Sequence, residues 1–193
     1  MTKYFRKNSP IRVLLIADGG EGGIGGSEVF AMELLNRVDK NAFRLVLCCI
    51  DTGNLTDMLK EIAEENGHEF VAVKYMKKFR IDIKAILRLR GVIKSRKIDV
   101  VHVTSGYTAI AGTLASLWSR IPIIYTIQMP VQFSRKTKLF FAILGLRINL
   151  HIAASNAIAY SVDRGGFIFP LRKIDQIIYY GVDLQRFKPM DSD

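Results

Sequence analysis

The sequence predicts an α/β fold: a Rossmann-like doubly wound parallel sheet of about seven strands, with helices on both faces. Two observations carry this prediction. Short apolar runs rich in Val, Ile and Leu alternate with helix-length amphipathic segments along most of the chain, which is typical of α/β domains. The runs are also nearly continuous in apolar residues, as expected of strands covered on both faces.

The predicted elements follow one another in regular order. The seven strands are Arg12–Ala17, Arg44–Ile50, Glu69–Val73, Asp99–Val103, Ile123–Ile127, Asn149–Ala153 and Gln176–Tyr179. The six helices are Ser27–Val38, Leu55–Asn66, Asp82–Lys97, Tyr107–Trp118, Ser134–Arg147 and Ser155–Asp163. Gly67 follows the second helix, where a glycine commonly ends a helix. Residues 183–193 are mostly polar and show neither helical nor strand periodicity. We therefore expect residues 1–182 to form one domain and residues 183–193 to begin an interdomain linker.

Length and composition restrict the class of protein. The chain has 193 residues, of which 49% are hydrophobic and 24% charged. This is the composition of one globular domain and excludes disorder and a disulfide-stapled miniprotein. The adjacent Cys48 and Cys49 lie in an apolar run and are expected as core thiols of a reducing compartment. No apolar run approaches the roughly 20 residues of a membrane span, and we expect a cytoplasmic protein.

The net charge of +10 is concentrated in one segment. Lys74–Lys97 contains ten bases and one acid. A solvated helix face explains such a pattern, and so does an anionic partner. Aromatic residues that would accompany nucleic-acid binding are few here, so no nucleic acid is expected and an anionic membrane surface fits better. Ser134–Arg147 is a second candidate for membrane contact, on the inner face of the membrane.

The first candidate site is the glycine-rich turn Asp18–Glu28, which contains six glycines between a strand and a helix. Such turns lie at the carboxyl edge of a doubly wound sheet, where ligands bind. Their backbone approaches a ligand closely, and the following helix N-terminus suits a phosphate. Ser27 is expected to cap that helix, with Glu28 in its first turn.

A second interpretation of this turn is a dinucleotide site for NAD or a flavin. Gly20–Gly25 matches G-x-G-x-x-G, and Asp51 follows the second strand as a ribose-binding acid would. The glycines continue to Gly26, however, so the helix is expected to start after the motif. Asp51 also lies later than the fingerprint prefers.

Polar residues follow the fourth and fifth strands at the same edge. Thr104, Ser105 and Tyr107 come after the fourth strand, and their hydroxyls suit a sugar hydroxyl. His102 itself is expected as a buried strand histidine with one satisfied nitrogen. Thr126 and Gln128 close the fifth strand before Pro130 and are expected to face the same crevice. The three histidines are far apart in sequence, and no metal-ligand spacing appears.

Together these residues resemble the N-terminal half of a GT-B-fold retaining glycosyltransferase of family 4. Gly25-Gly-Ser-Glu28 is similar to the family's Gly-Gly-x-Glu, and Lys97-Ile-Asp-Val-Val-His102 is similar to its Asp-Val-Val-His strand. Tyr125-Thr126 with Gln128 resembles its Thr-x-His strand end, and Tyr180-Gly-Val-Asp to Pro189 resembles its closing Asn-Gly-Val-Asp. The order and spacing of these pieces carry the resemblance, from about Ile11 to Pro189.

The resemblance implies a function. Members transfer a sugar from a nucleotide-diphosphate sugar to an acceptor, with retention, in a cleft between two Rossmann-like domains. The donor phosphates would lie near Gly25, Gly26 and Ser27, and Gln128 would take the catalytic position. Acceptor-facing groups would be Asp18, Thr104, Ser105, Tyr107 and Thr126. The resemblance implies no cofactor and no metal. Nucleotide recognition belongs to a C-terminal domain absent here, so we expect this chain alone to be inactive.

Two departures from the family pattern matter. Gln128 stands where many members carry a histidine beside the reacting sugar. A glutamine can hydrogen-bond a hydroxyl but cannot act as a general base. In the family's front-face mechanism the leaving phosphate takes the acceptor's proton, so transfer would not require that histidine. Tyr180 replaces the usual asparagine and is expected to be a tolerated variation.

Overall fold

The chain forms a seven-stranded, entirely parallel sheet with the order β3-β2-β1-β4-β5-β6-β7. The structure is a computed structural model and describes residues 9–19, 24–74, 81–129, 143–164 and 174–181. The strands are β1 (Ile11–Gly19), β2 (Phe43–Thr52), β3 (Glu69–Val73), β4 (Val100–Val103), β5 (Ile123–Ile127), β6 (Leu150–Ala153) and β7 (Gln176–Ile177). The predicted doubly wound sheet is therefore confirmed.

Five helices connect these strands within the described residues. They are α1 (Gly26–Arg37), α2 (Asn54–Glu65), α3 (Ile83–Ser95), α4 (Gly106–Ala115) and α5 (Asn156–Arg164). Each corresponds to a predicted helix, with ends that differ by three residues or fewer. The helix predicted at Ser134–Arg147 lies mostly outside the described residues, although positions 143–145 are helical. The predicted linker lies outside them entirely.

The helices form a layer on each face of the sheet. Side chains along β1 alternate between the layers: Leu15 packs with α1 and α2, whereas Leu14 and Ile16 pack with α3 and α4. The neighbouring thiols of β2 divide in the same way, Cys48 toward α3 and α4 and Cys49 toward α1 and α2. This alternation explains the nearly continuous apolar runs, because both faces of the strands are buried.

Two helices end in the same hydrogen-bonded motif with different residues. After α2, the N–H groups of Gly67 and His68 donate to the carbonyls of Glu64 and Ala63, and Gly67 has φ of +69°. This is the Schellman arrangement, and it confirms Gly67 as a helix stop. After α3, a lysine takes the corresponding place: Lys97 has φ of +51°. A side chain at that position carries a steric cost that glycine lacks.

The strand order places a crevice at the carboxyl end of β1. From β1 the chain winds toward β2 and β3, and it then crosses to β4 and continues in the opposite direction. The connections leaving β1 and β4 diverge at this point, which is where open α/β sheets bind ligands. The glycine-rich turn follows β1, and Thr104 and Ser105 follow β4, so these candidate residues lie at the same edge of the sheet.

Candidate functional site

A pocket of about 680 Å³ opens beside α1 at this carboxyl edge. One wall is a side of α1, and the floor consists of residues one position before the ends of β4, β5 and β6. The segment that leaves β7 closes the other side. The lining residues are Gly26, Val29, Phe30, Glu33, Leu34, Arg37, Val38, His102, Thr126, Ile152, Ile178, Tyr179, Tyr180 and Gly181. Most of these residues are apolar. The polar side chains on the floor are His102 and Thr126, near the carboxyl ends of β4 and β5.

The N-terminus of α1 is organised by Glu28. Its carboxylate accepts hydrogen bonds from the backbone N–H of Gly25 (2.9 Å) and from Ser27 Oγ (2.8 Å), and the side chain is buried. Gly25 is the N-cap, so the expectation that Ser27 caps this helix is wrong. The Glu28 carboxylate returns to the N–H of this N-cap residue, as the glutamate of a capping box does. The helix starts after the G-x-G-x-x-G motif, as expected.

This arrangement limits what the turn can offer an anion. The N–H of Gly25 is already bonded to a carboxylate, whereas the N–H groups of Gly26 and Ser27 precede the first helical hydrogen bond, from Val29 to Gly25. N–H groups at these positions have no acceptor within the helix and point toward its N-terminal end. Of the predicted phosphate-binding residues, Gly26 lines the pocket and Gly25 and Ser27 adjoin it.

His102 and Thr126 form the polar floor of the pocket. His102 Nε2 lies 2.8 Å from Thr126 Oγ1, which joins the fourth and fifth strands. This confirms a strand histidine with one satisfied nitrogen. Burial disfavours the charged ring and lowers the pKa of His102 to about 4. The imidazole is therefore neutral near pH 7 and is a weak base there.

Two aromatic rings stand over this floor. The rings of Phe30 and Tyr180 stack with centroids 4.8 Å apart, and the Phe30 ring meets the His102 ring edge-on at 5.8 Å. The first comes from α1 and the second from the segment after β7, so the stack joins two edges of the pocket. Burial raises the pKa of Tyr180 to about 12, so the phenol keeps its proton.

Gln128 lies beside the Tyr180 hydroxyl, whose pKa it lowers slightly against the larger effect of burial. Its amide oxygen and nitrogen are both shielded from solvent, and neither makes a hydrogen bond of ordinary geometry within the described structure. Amide groups in this condition are costly unless they find a partner. Thr126 therefore lines the pocket, whereas Gln128 does not line it and is linked to it only through Tyr180, so its contact with a substrate stays a prediction.

The other predicted acceptor residues lie elsewhere on the edge. Ser105 is the N-cap of α4, and its side chain accepts from the N–H of Thr108 at 3.2 Å. Thr104 is buried, and its N–H donates to Thr108 Oγ1. Tyr107 packs in the core on the α3 and α4 side, and Asp18 is half-buried near the end of β1. None of these four lines the pocket, and their contact with an acceptor stays a prediction.

Sequence reasoning did not identify the aromatic part of the site. In the sequence, Phe30 is one more apolar position of an amphipathic helix. Tyr180 is a replacement for the family's usual asparagine that is expected to be tolerated. The only sequence signal for this part of the site was Tyr180 itself, because a bulky aromatic residue stands where the family usually has a small amide. Their contact depends on the path of the chain after β7.

Two further expectations concern features outside the pocket. Residues 20–23 of the dinucleotide motif are outside the described structure, as is the side chain of Asp51. Within the described ranges, no three His, Cys, Asp or Glu side chains are grouped so that they could hold a metal ion. The helices in that same part of the chain are all too short or too polar to cross a membrane.

The chain shares its fold with solved structures at low sequence identity. A glycosyltransferase from Rickettsia africae superposes with a TM-score of 0.71 at 17% identity, over 95% of this chain and 46% of that one. Anabaena HepE, solved with UDP and glucose, gives 0.66 at 17% identity, over 94% and 47%. A UDP-N-acetylglucosamine 2-epimerase from Rickettsia bellii gives 0.52 at 15% identity, over 88% and 44%. The chain thus spans about half the length of these structures.

Enzymes with different reactions share this fold, so the fold alone does not indicate the chemistry. The sequence itself is more informative, although no curated protein sequence matches it. The profile of Glycosyltransferase Family 4 matches residues 24–186. That range begins at the glycine turn and runs past the segment carrying Tyr180, so it contains the whole pocket. This chain therefore belongs to Glycosyltransferase Family 4.

Proposed function

We propose that this chain is the acceptor-side domain of a glycosyltransferase. It would act with a second, donor-binding domain to transfer a sugar from a nucleotide-diphosphate sugar, with retention of configuration. The carrying observation is the pocket at the carboxyl edge, which lies within the segment that the family profile matches. The UDP and glucose bound to Anabaena HepE support a nucleotide sugar as the donor.

The polar groups of the pocket suit recognition of a sugar. His102 and Thr126 offer a neutral hydrogen-bonding pair, and Tyr180 adds an aromatic ring with a protonated hydroxyl. Gln128 does not line the pocket; its buried amide lies beside Tyr180 and would add a donor and an acceptor if the side chain turned toward the sugar. Planar amides and hydroxyls bind sugar hydroxyls without carrying charge. Gly26 and Ser27 lie at the start of α1, where the donor phosphates would approach.

The protonation states of Gln128 and His102 favour a reaction in which no side chain of this domain acts as a general base. Gln128 cannot take a proton, and His102 takes one only at acidic pH, because burial lowers its pKa to about 4. Both agree with a front-face transfer, in which the leaving phosphate accepts the proton of the attacking hydroxyl. We propose retention on this ground, and we propose that this chain alone does not turn over a nucleotide sugar.

A membrane-linked acceptor is the finer part of the proposal. The bases of Lys74–Lys97 and the apolar residues of Ser134–Arg147 would face an anionic surface, with the enzyme peripheral on the cytoplasmic side. Residues 183–193 would lead into the donor-binding domain.

Saturation-transfer NMR tests the acceptor site directly. The probes are methyl hexosides and methyl N-acetylhexosaminides, each added to residues 1–193. We expect at least one to contact the protein weakly, and we expect Gln128→Ala and Thr126→Val each to weaken that contact about tenfold, as loss of a buried hydrogen bond does. Glu61→Gln, on the exposed side of α2, is the matched control. Equal signals in all variants would contradict the assignment.

Two further measurements separate the competing functions. Incubation with UDP- and GDP-sugars should give no sugar transfer or release; turnover would contradict the proposed inactivity of this chain. Titration with NADH should give no saturable fluorescence change. Tight NADH binding that Gly22→Ala abolishes would instead support the dinucleotide interpretation.

A further inference from the structure

The outer side of α3 carries apolar and basic residues together. Ile83, Leu87 and Arg90 recur at helical spacing along one side of the helix, next to the buried face that carries Ile86 and Leu89. Ile83 is 68% exposed and Leu87 57% exposed. Exposed aliphatic side chains at this spacing are unusual on a solvated helix, whose outer face is ordinarily polar.

Trp118, in the turn after α4, adds an exposed aromatic residue beside this side of α3. It lies just beyond the end of α4, is 72% exposed, and has the guanidinium of Arg90 4.9 Å from the centre of its ring. Leu117 beside it is also exposed. Arg90 thus connects the aliphatic residues of α3 to the aromatic residue that follows α4, and the four side chains Ile83, Leu87, Arg90 and Trp118 form one continuous surface, here called the α3–Trp118 surface.

The charge around this surface has one sign. Within α3 the charged residues are Lys84, Arg88, Arg90 and Lys94, and the helix contains no acid after its N-cap Asp82. The bases at 84, 88 and 94 are exposed. Basic residues attract anionic headgroups, Trp prefers the boundary between headgroups and acyl chains, and aliphatic residues enter the acyl region.

We propose that the α3–Trp118 surface inserts into the interface of a bilayer that contains anionic lipid. This inference deepens the membrane part of the proposed function and assigns the contact to residues of α3 and of the turn after α4 rather than to charge alone. A nucleic acid fits less well, because Ile83 and Leu87 would contact nothing on a phosphate backbone.

Arg147, at the end of the second predicted membrane segment, does not belong to this surface. Its guanidinium donates to the carbonyls of Ser119 (2.7 Å), Ile121 (2.8 Å) and Ser116 (3.2 Å), and so holds the chain that follows α4. That guanidinium is therefore bonded within the fold.

The experiment uses the fact that Trp118 is the only tryptophan of the chain. Residues 1–193 are mixed with vesicles of phosphatidylcholine alone, or with about 30% phosphatidylglycerol. We expect the emission to shift to shorter wavelength only with the anionic vesicles, and brominated acyl chains to quench it. The shift should decrease as salt rises to about 0.5 M, where exposed charges are screened. An unchanged spectrum and no co-sedimentation would overturn the proposal.

Variants locate the contact. Lys84→Glu and Arg88→Glu should each weaken vesicle binding at least about fivefold, the effect of removing one basic residue near an anionic surface. Leu87→Ser should weaken co-sedimentation and reduce quenching. Lys60→Glu makes the same charge change on α2, in the opposite layer, and should leave binding unchanged; equal loss in this control would overturn the assignment to α3.

Two outcomes separate this inference from its alternatives. A duplex DNA shift at the same salt, without vesicle binding, would overturn it in favour of a general polyanion site. Vesicle binding does not involve sugar transfer, so it stands or fails independently of the acceptor site. Circular dichroism of each variant verifies that the fold is retained.

Discussion

At the scale of single residues, the site depends on groups that are kept neutral. His102 is held by Thr126 and covered by Phe30, and burial lowers its pKa to about 4. Tyr180 keeps its proton for the same reason, because burial raises the pKa of its phenol. Neutral side chains of this kind can hydrogen-bond hydroxyl groups without adding charge to the pocket floor.

The neutral state of His102 has a consequence for stability. The unfolded chain protonates this ring near pH 6.5, whereas the folded chain does so only near about 4. Between these values the unfolded state binds more protons, so the free energy of unfolding should fall as the pH falls, by about 1.4 kcal/mol per pH unit. Urea unfolding at several pH values should show this slope in the natural protein.

His102→Gln should make that slope shallower by about the same amount. His68, whose pKa is also lowered by burial, adds a slope of the same sign that this variant keeps. An unchanged slope in His102→Gln would mean that the ring is not buried in its neutral form.

At the scale of elements, helix ends and strand limits differ in how well the sequence predicts them. The strands Glu69–Val73 and Ile123–Ile127 were predicted to the residue, because each apolar run is bounded by polar or turn-forming residues. The start of α1 was not, since side-chain capping preferences favour Ser27, whereas Glu28 returns to the N–H of Gly25 as the glutamate of a capping box and makes that glycine the N-cap.

The site was predictable only in part, for a related reason. Thr126 could be placed at the pocket because it lies near the end of a strand at the carboxyl edge of the sheet. Phe30 and Tyr180 were missed because they are 150 residues apart and nothing local to either one indicates that they meet. A sequence pattern reports which side of an element is buried, and it does not report which distant element covers it.

The end of α3 allows an elementary test. Lys97 adopts the left-handed conformation at the position where α2 uses Gly67. Lys97→Gly should therefore raise the free energy of unfolding by about 0.5–1 kcal/mol, seen as a higher urea midpoint. Lys97→Ala keeps the Cβ atom and should bring no such gain. A midpoint lowered by the glycine would show that the steric cost at this position is negligible.

At the scale of the whole molecule, the two helical layers protect the centre of the sheet. Cys48 and Cys49 face opposite layers and are fully buried, and burial raises both thiol pKa values, that of Cys49 to about 12. The reactive species of a thiol is its thiolate, which is therefore suppressed on both sides at once.

These thiols should report opening of the molecule as a whole. The native chain should react with a disulfide reagent such as DTNB far more slowly than the urea-unfolded chain, and both thiols should become reactive over the unfolding transition seen by circular dichroism. Fast reaction of one thiol in native buffer would reveal that one layer opens separately.

The position of β1 at the centre of the sheet bears on how the chain folds. Its partner β2 follows after one helix, but its other neighbour, β4, lies far along the sequence: Arg12 and Asp99 bond to each other across 87 residues. As the polypeptide is synthesised, β1, β2 and β3 can associate while one edge of β1 still has no neighbour. An open edge of this apolar strand is prone to pair with other chains. Formation of such distant pairs is slow, and we expect docking of β4 to be the step at which folding and aggregation compete.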